Sequence, residues 1–277
     1  SELMKLCGMN QDHMRYQRSV KLYLGDKTYE QFHSEMANKT GVELANQFIW
    51  GHGGERGNEW VVIKDLLWEI RPKDELRTAN VDFFTWDFTD RREYRSLLLL
   101  WGWLALNDTK LENFKVIMKR LKDGSLYPLY RFQDTGVSLG TQFYIEKPVD
   151  AIRFFKFYKV NSFPSSFIKI DKHGDIKLAW NDFASRKYRF KRTNWNDLKW
   201  MARKILSIDK KDIRKILENS GMPKAVADLY YIKLLMRRDD FIEVFELGSE
   251  FKKEDLPILE HFNQINEFGE QLIKNGK

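Results

Sequence analysis

The sequence predicts an α+β fold: a mixed N-terminal part with an αα-hairpin, a β-rich middle with hairpins, and a helical C-terminal third. Two observations carry this. Short period-2 runs bounded by turn residues recur through residues 18–180, as half-buried strands require. After Thr193 the apolar spacing changes to three and four residues, the period of helices that bury one face. The change divides the chain into a mixed domain over residues 1–192 and a helical module over 193–277, or marks two parts of one continuous domain.

Residues 18–24 (RSVKLYL) alternate as a strand and end at the turn Gly25-Asp26-Lys27. Thr28, with Gln31 three residues on, forms a capping box. Tyr29, Phe32 and Met36 give that helix its apolar stripe, and Gly41 stops it. The glycine-dense stretch 51–57 reads as a loop, and residues 60–70 (WVVIKDLLWEI) as a strand. Residues 81–88 are extended or irregular. Thr89 caps a helix over residues 90–106, whose second half is apolar all round and must be buried. Asp108 caps the next helix, striped by Leu111, Phe114, Ile117, Met118 and Leu121, which completes the αα-hairpin.

Strands follow at 127–132 and 142–147 around a loop at 133–140, and residues 150–160 fit helix or strand. A hairpin joins residues 167–170 to 176–180 through His173-Gly174, the glycine supplying the positive φ of a tight turn. Trp195, Leu198, Met201 and Ile205 define the first helix of the helical module. Asp209 or Lys210 opens a second helix to about Asn219, and Ser220-Gly221-Met222-Pro223 breaks it, with Pro223 suited to the next first turn. The third helix runs through Val226, Leu229, Ile232 and Met236 toward Phe245, and a last one covers 255–274.

The composition narrows the function classes. With 43% hydrophobic and 14% aromatic residues the chain has ample core material, and 31% charged residues with a mean hydropathy of −0.55 fit a soluble protein. One cysteine, Cys7, excludes an internal disulfide and points to a reducing, cytoplasmic setting. The N-terminus lacks a signal-peptide core, and the longest apolar run, residues 97–106, is too short for the ~20 residues of a membrane helix. No membrane association is expected. One Cys and five scattered His offer no zinc-ligand pair, and neither a P-loop nor a G-x-G-x-x-G occurs.

Charge location is the most informative feature. Residues 186–204 hold eight Lys/Arg and one Asp, a surplus equal to the whole net charge of +7. Arg186, Lys187, Arg189, Lys191 and Arg192 belong to a run that alternates with Tyr188 and Phe190, and Lys199, Trp200, Arg203 and Lys204 follow on a helix. Cations bind phosphate backbones by counterion release, and exposed aromatics stack on bases, so these residues are the candidate nucleic-acid contacts. The same pattern also suits a lysine-protected edge strand with its aromatics in the core. Residues 239–260 carry eight acidic residues against two lysines. That stretch suits docking onto a basic protein partner, or onto the chain's own basic segment.

Candidate catalytic residues are scattered. Gly136-Val137-Ser138-Leu139-Gly140 matches G-x-S-x-G, with His52-Gly53-Gly54 upstream as an oxyanion-hole loop, Asp171 or Asp175 as acid and His261 as base. Yet a strand, not the required helix, is expected after Ser138, and His261 falls inside a helix. Asp65 and Glu69 lie on one strand beside Lys64 and Arg71; they do not give the Asp…Glu-x-Lys arrangement by which nucleases hold Mg²⁺, the one cofactor that a nuclease would imply, but Glu69-Ile70-Arg71 comes nearest to it, with Arg in place of Lys. Asp134 and Glu146-Lys147 straddle a hairpin without that spacing. The helical corner at Ile213, Leu217, Gly221 and Ala227 resembles a DNA-reading pair in spacing, but its second helix is too long. The expectation is a nucleic-acid-interacting protein, a nuclease or an accessory factor of a DNA-processing system. The alternatives are a serine hydrolase using Ser138 and a non-catalytic interaction subunit.

Overall fold

The structure is a computed structural model and describes residues 2–81, 87–106, 109, 111–133, 138–139, 144–145, 152–153, 166–174, 176–178, 192–222, 224–254 and 256. After the short helix α1 (Glu2–Leu6) comes β1 (His13–Tyr23), which extends the expected strand toward the N-terminus. It pairs antiparallel with β3 (Trp60–Ile70), from His13↔Ile70 to Tyr23↔Trp60, while β2 (Ile49–Gly53) takes the other edge of β3. Between β1 and β2 run α2 (Tyr29–Thr40) and α3 (Val42–Phe48). The Thr28 side chain accepts from the Gln31 amide and the Gln31 side chain accepts from the Thr28 amide, the reciprocal cap read from the sequence; Gly41, at φ 87°, ends the helix. Val61 and Ile63 of β3 and Ala45 of α3 are buried, α3 packs on β2 and β3, and Tyr29 at the start of α2 stacks on His52 of β2, so the helices lie on one side of the sheet.

Residues 51–53 are strand rather than the loop expected from their glycines. Gly53 pairs with Trp60, and a Cβ there would stand 2.9 Å from the indole Cζ2. The glycine leaves the room that a cross-strand tryptophan fills. The turn itself falls to Gly54 and Gly57, both at positive φ.

A second antiparallel sheet has the order β4 (Glu75–Asn80), β5 (Phe114–Arg120), β6 (Leu126–Phe132). This corrects the αα-hairpin. Its second helix is β5, preceded by a 3₁₀ turn at Leu111–Asn113, because pairing on both edges outweighs a spacing that fits a helix equally well. Its first helix is also divided: a 3₁₀ turn at Asp87–Asp90, α4 (Arg92–Arg95), then α5 (Leu97–Trp103). Thr89 lies inside the 3₁₀ turn and caps nothing. At the break, the Ser96 hydroxyl donates to Glu93 O, and Thr193 Oγ1 donates to Arg95 O. The expectation that the apolar half is buried holds: Trp101 and Trp103 are fully enclosed, and Trp101 packs on Phe114 and Phe132 at 5.7 Å between ring centroids.

The two sheets meet at a parallel bridge between Gln11 and Phe132 and at an ion-pair cluster. Buried Arg131 donates to both carboxylate oxygens of Glu75 at 2.6 and 2.7 Å, and Arg77 bonds Asp12 at 3.0 Å and reaches Glu69. Two short pairs follow. β7 (Tyr144–Ile145) and β8 (Ile152–Arg153) form one; β9 (Ile168–Ile170) and β10 (Ile176–Leu178) form the expected hairpin, with Gly174 at φ 84°.

The C-terminal third is helical: α6 (Trp195–Leu206), α7 (Lys210–Glu218) and α8 (Lys224–Val244). Asn194 caps α6 and Asp209 caps α7. One buried apolar cluster extends from Leu3 to Leu247, across the expected boundary at residue 192. Two polar ties, one part-buried and one buried, cross it as well. Arg95 holds Asp197 through both carboxylate oxygens at 2.7 and 2.9 Å, and Arg237 of α8 donates to the carbonyls of Gly102 and Trp103, each at 2.8 Å. No helix among the described residues is long and apolar enough to cross a membrane. The helix expected over 255–274, the extended stretch 81–88 from residue 82 to 86, and the cap Asp108 lie outside the described residues.

Candidate functional site

The basic helix α6 begins at a cap reinforced from both sides. Asn194 and Asp197 exchange side-chain-to-amide bonds, and Asp197 is 1% exposed. Burial pushes its carboxyl up, but Arg95 and the Asn194 amide together hold it below the ordinary aspartate range. Of the predicted contacts on α6, Arg203 is taken up by Glu250, which it holds in a fork at 2.8 and 2.6 Å. Lys204 extends over the Trp200 ring at 4.7 Å, and Lys199 is half-buried beside them. Lys210 reaches Glu254 at 3.2 Å. Two residues of the acidic stretch thus answer two cations of the neighbouring helices. An open groove of about 670 Å³ lies here, lined by Leu6, Trp200, Arg203, Lys204 and Asp212 among others. Arg192 is exposed and pairs with Asp90. Arg186, Lys187, Arg189 and Lys191 lie outside the described residues.

The catalytic candidates are dispersed. His52 sits on β2, stacked on Tyr29 at 3.7 Å between centroids. Asp65 has a left-handed backbone, φ 53°, and accepts the Tyr16 hydroxyl at 2.5 Å. Glu69 pairs with Arg77 and, at 3.6 Å, with Arg71. Ser138 is half-buried, and the next residue, Leu139, donates its amide to Leu104 O. Asp171 accepts from the His173 amide and pairs with Lys177, as a hairpin turn requires. Gly136, Gly140, Asp175, His261, Asp134, Glu146 and Lys147 lie outside the described residues. Among the described residues no three His, Cys, Asp or Glu side chains are grouped to hold a metal ion.

One surface escaped the sequence reading. Strand alternation and the antiparallel register place the odd residues of β1 and the even residues of β3 on the sheet face opposite α2 and α3. The burial pattern agrees: odd β1 positions are exposed, whereas Val61 and Ile63 on the reverse face are buried. This outward face carries three of the nine tryptophans. Trp60, Lys64 and Trp68 follow at every fourth residue of β3, and Trp50 joins them from a bulge in β2. Tyr23 is 69% exposed and Trp50 57%. Cations accompany the rings: Lys21 Nζ lies 4.0 Å over Trp60, and Lys64 Nζ 5.4 Å over Trp50. Trp68 Nε1 donates to Gln17 at 3.2 Å, and Arg15 stands opposite Trp68 in the register. No residue that the alternation places on this face is acidic.

The signal was present in the even spacing of Trp60, Lys64 and Trp68, but only the register with β1 adds Arg15 and Lys21 to the same side. The chain matches no protein-family model, no curated protein and no solved structure, so the case for its function rests on this surface and on α6.

Proposed function

We propose that the protein binds nucleic acid, with the outward face of the β1–β3–β2 sheet as a contact surface and the basic residues 186–204 as a second one. The observation that carries this reading is the sheet face, where Arg15, Lys21 and Lys64 stand among the exposed Tyr23 and Trp50 and the half-buried Trp60 and Trp68, and where strand alternation places no acidic residue. A phosphate backbone gains from such a face by releasing counterions, and strand positions without acidic residues add no repulsion to offset that gain. On α6 the arrangement is more mixed, since Glu250 engages Arg203 while Lys204 stays on Trp200. The reading is one of binding rather than cleavage: the carboxylates on β3, Asp65 and Glu69, are engaged by Tyr16 and Arg77.

The test is salt-dependent binding to DNA and heparin by two charge-reversal sets, Arg15/Lys21/Lys64→Glu and Lys187/Arg189/Lys191→Glu. Loss of the three sheet cations should weaken binding and reduce the slope of log K against log salt by about 2, at ~0.7 per lost contact on a single strand. Binding that survives both sets unchanged would refute the proposal.

A further inference from the structure

Resting on that reading, we infer that the sheet face is built for single-stranded nucleic acid, with unpaired bases stacked on Trp50, Trp60 and Trp68. A duplex keeps its bases inside and offers a flat protein face only its phosphates, so cations alone would serve it. Here each of the three indoles, Trp50 exposed and Trp60 and Trp68 half-buried, has a polar partner. Lys21 lies over Trp60, Lys64 over Trp50, and Gln17 holds the Trp68 indole N–H. A base stacking on Trp60 displaces the Lys21 ammonium from the ring toward the flanking phosphate, so both halves of a nucleotide are met by one pair of side chains.

Glycine makes the platform possible. Gly53 lies opposite Trp60, and any Cβ would meet the indole at 2.9 Å, so the ring settles over bare backbone. The strand order β1–β3–β2 puts Lys21 and Gly53 on opposite flanks of that ring. Trp60 to Trp68 spans eight residues of β3, about 26 Å at the ~3.3 Å rise of a strand. That length accommodates a short oligonucleotide, within the roughly 4–16 nucleotides that single-strand-binding folds occupy. Charge complementarity favours this ligand over an apolar protein partner, which gains nothing from Arg15, Lys21 and Lys64.

The experiment uses the full chain and four probes: a 12-mer oligo(dT), a 12-base-pair duplex, heparin, and phosphatidylserine vesicles. The variants are Trp50→Leu, Trp68→Leu and Trp68→Phe, each checked for an unchanged melting temperature. The expected result is tryptophan fluorescence quenching by oligo(dT), tighter binding of oligo(dT) than of duplex, and about tenfold or greater loss for each Trp→Leu change. Trp68→Phe should keep most of the affinity, and heparin retention should stay as in the parent chain. Equal or tighter duplex binding, or oligo(dT) binding indifferent to the tryptophans, overturns this inference while leaving nucleic-acid binding in place. No binding to oligo(dT), duplex or heparin overturns both. Vesicle binding lost in the leucine variants, with oligo(dT) binding retained, identifies a membrane-facing surface instead and also overturns it.

Discussion

Replacing Gly221 with alanine tests how the N-terminal sheet is joined to the helical third. Gly221 lies between α7 and α8 at φ 79°, and a Cβ there would meet three atoms of the Tyr16 ring at or inside 2.7 Å. Tyr16 is on β1, with its hydroxyl donated to Asp65 of β3. Two costs follow for Gly221→Ala. The left-handed backbone costs an alanine about 1–2 kcal/mol, and forcing a methyl into the ring costs about 1–3 kcal/mol as overpacking. The expected loss is therefore about 3 kcal/mol by urea or guanidinium denaturation. The two costs separate in a double-mutant cycle. Tyr16→Ala alone should lose about 2 kcal/mol of packing and hydrogen bonding. In the combined variant the overpacking vanishes and only the backbone cost of the introduced alanine remains, so the pair should fall short of additivity by about 1–3 kcal/mol. Additivity within about 0.5 kcal/mol would refute the contact. A fully stable Gly221→Ala would refute the backbone argument too.

Two further outcomes are expected. Asp197 has a carboxyl held below its ordinary pKa by Arg95 and the helix cap against the opposing effect of burial. Its contribution is therefore fully present above the unfolded aspartate pKa of about 3.9 and is lost as pH falls through the lower folded value. Asp197→Asn should lower stability at pH 7 by about 3 kcal/mol, as removing one member of a buried pair does, and should flatten the acid limb of a stability–pH curve; an unchanged acid limb would count against the assignment. Burial pushes the Cys7 thiol up to about 12, against the opposing pull of Lys204 and Arg238. A disulfide reagent at pH 8 should leave the native protein unlabelled and label one thiol after denaturation; rapid native labelling would contradict the burial.

Local chemistry was readable in the sequence, and pairing between distant strands was not. Thr28 and Gln31 announce α2 because a capping box is complete within four residues, and the Gly174 hairpin and the Asp209 cap are equally local. Phe114, Ile117, Met118 and Leu121 misled because their spacing fits a helix, while the ladder to Glu75–Asn80 and Leu126–Phe132 that decides for a strand is invisible from within the segment. The same limit hid the sheet face. Arg15 and Trp68 are 53 positions apart in the chain and become neighbours only through the β1–β3 register. The basic helix was legible by composition, but the Arg203–Glu250 pair needed the fold: a charge sum places cations without saying which ones are already answered.

The bonds from Arg237 to Gly102 and Trp103 also bear on how the chain is made. The last carbonyls of an all-apolar helix are satisfied by a side chain 134 and 135 residues downstream, and Trp103 donates its indole N–H to Leu234, 131 residues away. At a ribosomal rate of about 5–20 residues per second, that partner follows roughly 7–27 seconds later. Throughout this interval the sequence Leu-Leu-Leu-Leu-Trp-Gly-Trp has neither its polar ties nor its α8 cover. The nascent chain thus carries its stickiest segment unshielded until its final third emerges. Truncations before α8 should collect in aggregates or on chaperones, and the N-terminal two thirds should not be obtainable as a folded fragment.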